Sequence, residues 1–153
     1  MNQFGDLRSL NLSPNEAVHQ ILSGWQDKKL YGFNWDESKV LQELRSNSHY
    51  ALAVAGRIEV LITFKEIFPE AEINFVLKSY KAPSERAETT LLHLIDSRRQ
   101  IQKWWLEVHE KNLAAQKIYL KVGFEQISLR KNYYPDGGSA LIYCINRDKL
   151  FKS

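Results

Sequence analysis

Between Lys103 and Gly123 the chain reads KWWLEVHEKNLAAQKIYLKVG, and within that stretch an apolar run gives way almost at once to helical spacing. Trp104 to His109 is short, rich in β-formers and bounded by charges, which is the pattern of a buried strand. Asn112 is a good N-cap. Ala114, Ala115, Ile118, Tyr119 and Val122 then recur at helical spacing, and Gly123 stands where a left-handed C-cap is wanted. A strand feeding a helix this directly puts Glu107 at or near the strand's end and Tyr119 about two turns into the helix. Both can then face one crevice.

The rest of the chain fills in around this unit. Ser13-Pro14-Asn15-Glu16 combines a Ser cap, Pro at the first helical position and Glu three residues after the cap. It predicts a helix from Pro14 to about Trp25. Residues 27–34 read as a loop, and Phe4 to Leu12 carry only a weak strand pattern. Trp35-Asp36-Glu37-Ser38 opens a second helix with Val40, Leu41 and Leu44 as its apolar face. Tyr50 to Ala55 and Arg57 to Phe68 flank a turn at Gly56, and Glu72 to Tyr80 make a third strand. Ser84 to Arg99 then reads as a helix with Ala87, Leu91, Leu94 and Ile95 on one face. After Phe124, segments 125–133 and 139–146 are separated by Pro135-Asp136-Gly137-Gly138 and read as a closing antiparallel pair. This order of elements is α/β with a mixed sheet.

At 153 residues, with 44% hydrophobic and 25% charged residues, the chain is expected to be one globular domain over 1–153 rather than a disordered or membrane protein. No apolar run reaches membrane-span length, and MNQFGDLRSL has no basic segment followed by a hydrophobic one, so a cytoplasmic location is expected. The lone Cys144, inside ALIYCIN, fits a reducing compartment and reads as a small core residue. A net charge of +3 is compatible with a ribosome-associated partner without specifying one. His19, His49, His93 and His109 lack metal-ligand spacing, and no nucleic-acid motif is present. Metal, nucleic acid and membrane are therefore not expected as partners.

WLEV followed by Asn112, Ala114, Ala115, Tyr119 and Gly123-Phe124 resembles the acetyl-CoA-binding signature of the GNAT N-acetyltransferase superfamily. RKNYYPDGG, from Arg130 to Gly138, resembles a string found in its bacterial ribosomal-protein-alanine N-acetyltransferases. The resemblance implies the GNAT fold, a mixed and mostly antiparallel sheet flanked by about four helices. It also implies acetyl-CoA as cosubstrate and direct transfer of acetyl to an amine, with a protein N-terminal α-amine as acceptor and a ribosomal protein among the candidates. Position by position, it makes Glu107 the base and Tyr119 the acid. Phe75, Val76, Leu77, Ser84, Arg86, Ala87, Asn112 and Lys121 fall on the cofactor side. Trp35, Tyr133 and Tyr134 fall on the acceptor side.

The chemistry asks for these groups independently. An α-amine has a reference pKa of about 7.7–8.0 against about 10.4 for lysine, so one carboxylate suffices to deprotonate it. Glu107, after Trp104, Trp105 and Leu106, is expected to be partly desolvated and its pKa raised. A phenol such as Tyr119 can donate to a departing thiolate. The bland alternatives are a surface-facing Glu107 and a core-filling Tyr119. His109 is read as a surface residue.

One motif departs from the superfamily, whose Arg/Gln-x-x-Gly-x-Gly/Ala lets backbone N–H groups approach a diphosphate. Here the segment is SYKAPSERAETTLLHLI, with no glycine between Gly56 and Gly123. Glu85 falls on the first glycine position and Ala87 on the second. Lys81 and Arg86 are expected to offset the carboxylate's charge, and Ser84 to cap the helix. Three readings stay open: a transferase with a rebuilt phosphate loop, a noncatalytic module of the same fold, and an enzyme acetylating a small amine.

Overall fold

The computed structural model describes residues 2–24, 29–30, 33–34, 36–79 and 81–150. Its elements are β1 (Asn2–Gly5), α1 (Pro14–Gly24), β2 (Lys29–Leu30), β3 (Phe33–Asn34), α2 (Glu37–Ser46), β4 (Ser48–Val54), β5 (Arg57–Ile67), β6 (Glu70–Lys78), α3 (Ser84–Ser97), β7 (Lys103–His109), α4 (Leu113–Val122), β8 (Glu125–Arg130), β9 (Ala140–Asn146) and α5 (Arg147–Leu150). Seven strands form one sheet in the order β1-β4-β5-β6-β7-β9-β8, and β2 pairs with β3 separately. Within the large sheet only β6 and β7 run parallel. This is the mixed, mostly antiparallel sheet expected from the sequence.

Local chemistry explains most boundaries. Ser13 Oγ accepts the Glu16 N–H at 3.1 Å and donates to the Glu16 carboxylate, which starts α1 where expected. Asp36 caps α2 by accepting the Lys39 N–H at 2.9 Å. The first segment differs from its reading. β1 ends at Gly5, and the chain then turns, with the Leu12 N–H donating to Leu7 O and Asn11 at φ 59°. The short β2–β3 pair and α5 were also not evident in the sequence.

The sheet is covered on both faces. Leu7, Ala17, Val18, Val40, Leu44, Ala51, Ile58, Leu61, Phe75 and Leu77 form the core under α1 and α2. Leu91, Leu94, Ile95, Trp104, Leu106, Val108, Tyr119, Val122 and Phe124 belong to the core under α3 and α4. Cys144 is buried and free, as read. Among the described residues no helix is long and apolar enough to cross a membrane.

Gly123 ends α4 at φ 119°, with its N–H donating to Tyr119 O and Leu120 O. A Cβ there would meet Ile145 Cδ1 at 3.3 Å as well as forcing a side chain into this backbone region. Gly123→Ala is therefore expected to destabilise the protein by about 1–3 kcal/mol, read as a lower urea midpoint with an unchanged slope. An unchanged midpoint would mean the turn relaxes freely.

Two irregularities open the sheet. Thr63 pairs with Phe75 and Phe64 with Ile73, so Asn74 is an extra residue in β6. Its side chain donates to Glu43 Oε2, which also accepts from Asn47 and Thr63. The bulge reverses the alternation, so Ile73 packs under α3 and α4 whereas Phe75 and Leu77 pack under α1 and α2. The β6–β7 ladder then runs only from Glu70↔Lys103 to Ile73↔Leu106. Beyond it the two strands no longer pair, which leaves a cleft whose walls carry backbone donors and acceptors.

Candidate active site

Glu107 is the first β7 residue past the end of that ladder. Trp104, Leu106 and Val108 face the core under α3 and α4, so strand alternation puts Glu107 on the opposite face. Its carboxylate is mostly shielded and pairs with Arg130 Nη1 at 3.2 Å. The Tyr133 phenol also hydrogen-bonds to it. The charge of Glu107, then burial, raises the Tyr133 pKa above the ordinary phenol range. Glu72, on β6, feels it too: burial first, then the Glu107 charge, raise the Glu72 carboxyl.

Tyr119 lies on the other face, inside the core under α4, ringed edge-on by Phe124 and Tyr143 at 5.9 and 6.2 Å. Burial, with a smaller contribution from Tyr134, raises its phenol far above the ordinary range. Base and acid candidates thus lie on opposite faces of the sheet, with Tyr134 within electrostatic reach of both. Burial and then the Glu107 charge push the Tyr134 phenol up to about 12.

His109 is not on the surface. It is 3% exposed, its Nε2 lies 2.9 Å from Asp136 Oδ2, and its ring stacks on Tyr134 at 4.7 Å. The sequence reading missed this because Asp136 is supplied by a distant hairpin turn. It also missed Arg130, which appears in the RKNYY string without any local sign that it reaches Glu107 across β9.

On the donor side, Asn112 caps α4 by accepting the Ala115 N–H at 3.2 Å, as expected. The Phe75 and Leu77 side chains are packed away under α1 and α2, and Val76 packs against the other core. The segment pairs with β5 on one side and runs past the end of the β6–β7 ladder on the other, so its backbone edge rather than its side chains borders the opening. Lys121 pairs with Glu88 at 3.8 Å.

The phosphate loop corrects two expectations. Ser84 does not cap α3: Pro83 occupies the cap position without a side-chain bond, and Ser84 is the first helical residue. Arg86 is engaged with Glu59 at 2.9 Å. Glu85 sits exposed in the first turn, where a carboxylate favours the helix dipole. A cation that ties the loop is Lys78, which the sequence reading passed over. Its Nζ donates to Ser79 O at 2.9 Å and Ala82 O at 2.6 Å, and burial lowers its pKa while Glu59 opposes the shift. Trp35, expected at the acceptor, lies outside the described residues.

No family model matches the chain. The ribosomal protein bS18-alanine N-acetyltransferase of Salmonella typhimurium is 45% identical over 124 residues, covering 78% of this chain and 84% of the relative. The Escherichia coli K12 protein of that name is 26% identical over 139 residues, 88% of each. The crystal structure of the E. coli ribosomal-protein-S18-alanine N-acetyltransferase superposes with a TM-score of 0.74 at 24% identity, covering 95% of this chain and 94% of that one. A GNAT acetyltransferase from Elizabethkingia anophelis, crystallised with acetyl-CoA, gives 0.60 at 13% identity, covering 72% and 83%. The split sheet and the Salmonella relative agree: this chain belongs to the ribosomal-protein-alanine N-acetyltransferases of the GNAT superfamily and is an N-acetyltransferase.

Proposed function

We infer that the protein transfers acetyl directly from acetyl-CoA to the α-amine of a protein N-terminus, of the ribosomal-protein-alanine type, acting as a single domain in the cytoplasm. The observation that carries this reading is the opening at the end of the β6–β7 ladder, where Glu107 is the first β7 residue past the last pair and its carboxylate is held by Arg130 and Tyr133.

The residues present fit the donor's pantetheine arm better than its diphosphate. Phe75, Val76 and Leu77 lie beyond the last β6–β7 pair, Ile73↔Leu106, and the backbone of Val76 and Leu77 along that edge suits an amide-bearing chain. Asn112 uses its Oδ1 as a cap, which leaves its amide NH2 for a ligand. At the phosphate end the donors offered are the first-turn N–H groups of α3 at Ser84 and Glu85, ahead of Ala87, with Lys78 and Lys121 as nearby charge. Arg86 contributes through Glu59 rather than directly. Acetyl-CoA supplies a thioester carbonyl when bound.

The chain's own residues handle the protons. Glu107 removes one from the incoming amine, directly or through water. Arg130 and Tyr133 hold its carboxylate in place. Burial keeps Tyr119 protonated, so its O–H is present at neutral pH to meet a leaving sulfur. Tyr133, 46% exposed beside the Arg130 guanidinium, and buried Tyr134 line the acceptor side.

Titration with acetyl-CoA while following thermal unfolding tests the reading. Ligand at 100 times its Kd stabilises by about 2.7 kcal/mol, whereas no shift at millimolar cofactor would favour a noncatalytic module. Glu85→Gly is expected to tighten acetyl-CoA, since a carboxylate at a helix start competes with an anion by roughly 0.3–1 kcal/mol. That corresponds to about a two- to fivefold lower Kd. Unchanged affinity would place the diphosphate elsewhere.

A further inference from the structure

His109 and Asp136 form a fastener outside the acid and base already named, and its role rests on the transferase reading above. The 131–139 hairpin is joined to the end of β7 by several independent ties. Asp136 brackets His109 Nε2 with both carboxylate oxygens, at 3.1 and 2.9 Å, and also accepts the Gly138 N–H at 2.8 Å. The Lys111 N–H donates to His109 Nδ1 at 3.1 Å, so the ring carries its hydrogen on Nε2 and donates it to Asp136. The Tyr134 N–H donates to Gly138 O, and the Glu110 N–H to Ser139 O. Gly138 makes the approach possible, because a Cβ there would lie 2.1 Å from His109 Nε2.

The consequence of these ties falls on Tyr134. Its ring stacks on His109 with an interplanar angle of 22°, and its flank meets Tyr133 edge-on at 5.2 Å. The buried His109 thus reaches a partner, Asp136, that stands 42% exposed on a turn. A purely structural plug would be satisfied by an apolar side chain, whereas an imidazole fixed in one tautomer holds its ring plane, and therefore Tyr134, in one orientation.

We propose that His109 and Asp136 are positioning residues for acetyl transfer, clamping the hairpin so that the Tyr134 ring, stacked on His109, is held in one orientation on the acceptor side of the site. Removing the clamp leaves the acid, the base and the donor cleft in place and loosens Tyr134.

The test uses the full chain with Asp136→Ala and Asp136→Asn. In wild type, long-range proton–nitrogen spectra of the His109 ring are expected to show hydrogen on Nε2 alone; tautomer averaging in wild type would refute the clamp whatever the activity. Asp136→Ala is expected to average the ring and lower kcat for an N-terminal peptide about tenfold, with the acetyl-CoA KM unchanged. Asp136→Asn, which keeps an acceptor for Nε2–H, is expected to restore most of both. An active wild type with Asp136→Ala equally fast, or a fall that Asp136→Asn does not relieve, overturns the positioning role alone. A wild type inactive on every amine overturns the transferase reading itself.

Discussion

Glu107→Gln is expected to lower kcat for transfer to an N-terminal amine by about 10²–10³, within the range usual for losing a positioned base. The substitution preserves shape and an oxygen for Arg130 and Tyr133, so the site should stay assembled while losing its proton acceptor. Steady-state kinetics across pH provide the check. A base matters most where the acceptor is still an ammonium ion, below its reference pKa of about 7.7–8.0. The defect should therefore be largest near neutrality and shrink as pH rises through that value. A defect independent of pH would indicate that Glu107 holds Arg130 and Tyr133 in place instead of taking the proton.

Tyr119→Phe is expected to reduce kcat about a hundredfold while changing acetyl-CoA affinity little. The ring's contacts with Phe124 and Tyr143 survive the change, and only the hydroxyl goes. Burial raises the Tyr119 phenol, which therefore stays protonated throughout the working range. Wild-type activity should accordingly show no alkaline fall from this group below pH ~10. Equal losses in turnover and affinity, or a loss in neither, would make the phenol a structural part of the core under α4.

The α4 unit was legible because its signals are local. Asn112, the apolar spacing that leads to Tyr119 and Val122, and Gly123 each do in the structure what their positions imply. The sheet was legible in its order of elements, but not where it opens. The Asn74 bulge is bonded to Glu43 in a helix far back in the chain, and the β6–β7 ladder ends at Ile73↔Leu106, next to that bulge, although both strands run on. Neither leaves a mark in a window of neighbouring residues. His109 was misplaced for the same reason, since its burial depends on Asp136, and Arg130 was not connected to Glu107 because β9 comes between them only after folding. At the phosphate loop, the sequence correctly flagged the missing glycines. It then assigned the cap to Ser84 and the offsetting charge to Lys81 and Arg86, whereas folding placed Pro83 at the cap and paired Arg86 with Glu59.

The most direct measurement incubates the wild-type protein with acetyl-CoA and a peptide bearing a free N-terminal alanine and an internal lysine, then locates any acetyl group by mass spectrometry. Acetylation of the α-amine, abolished when that amine is blocked and strongly reduced in Glu107→Gln, is the expected result. An unmodified peptide at saturating acetyl-CoA, or acetyl found on the lysine alone, would contradict it.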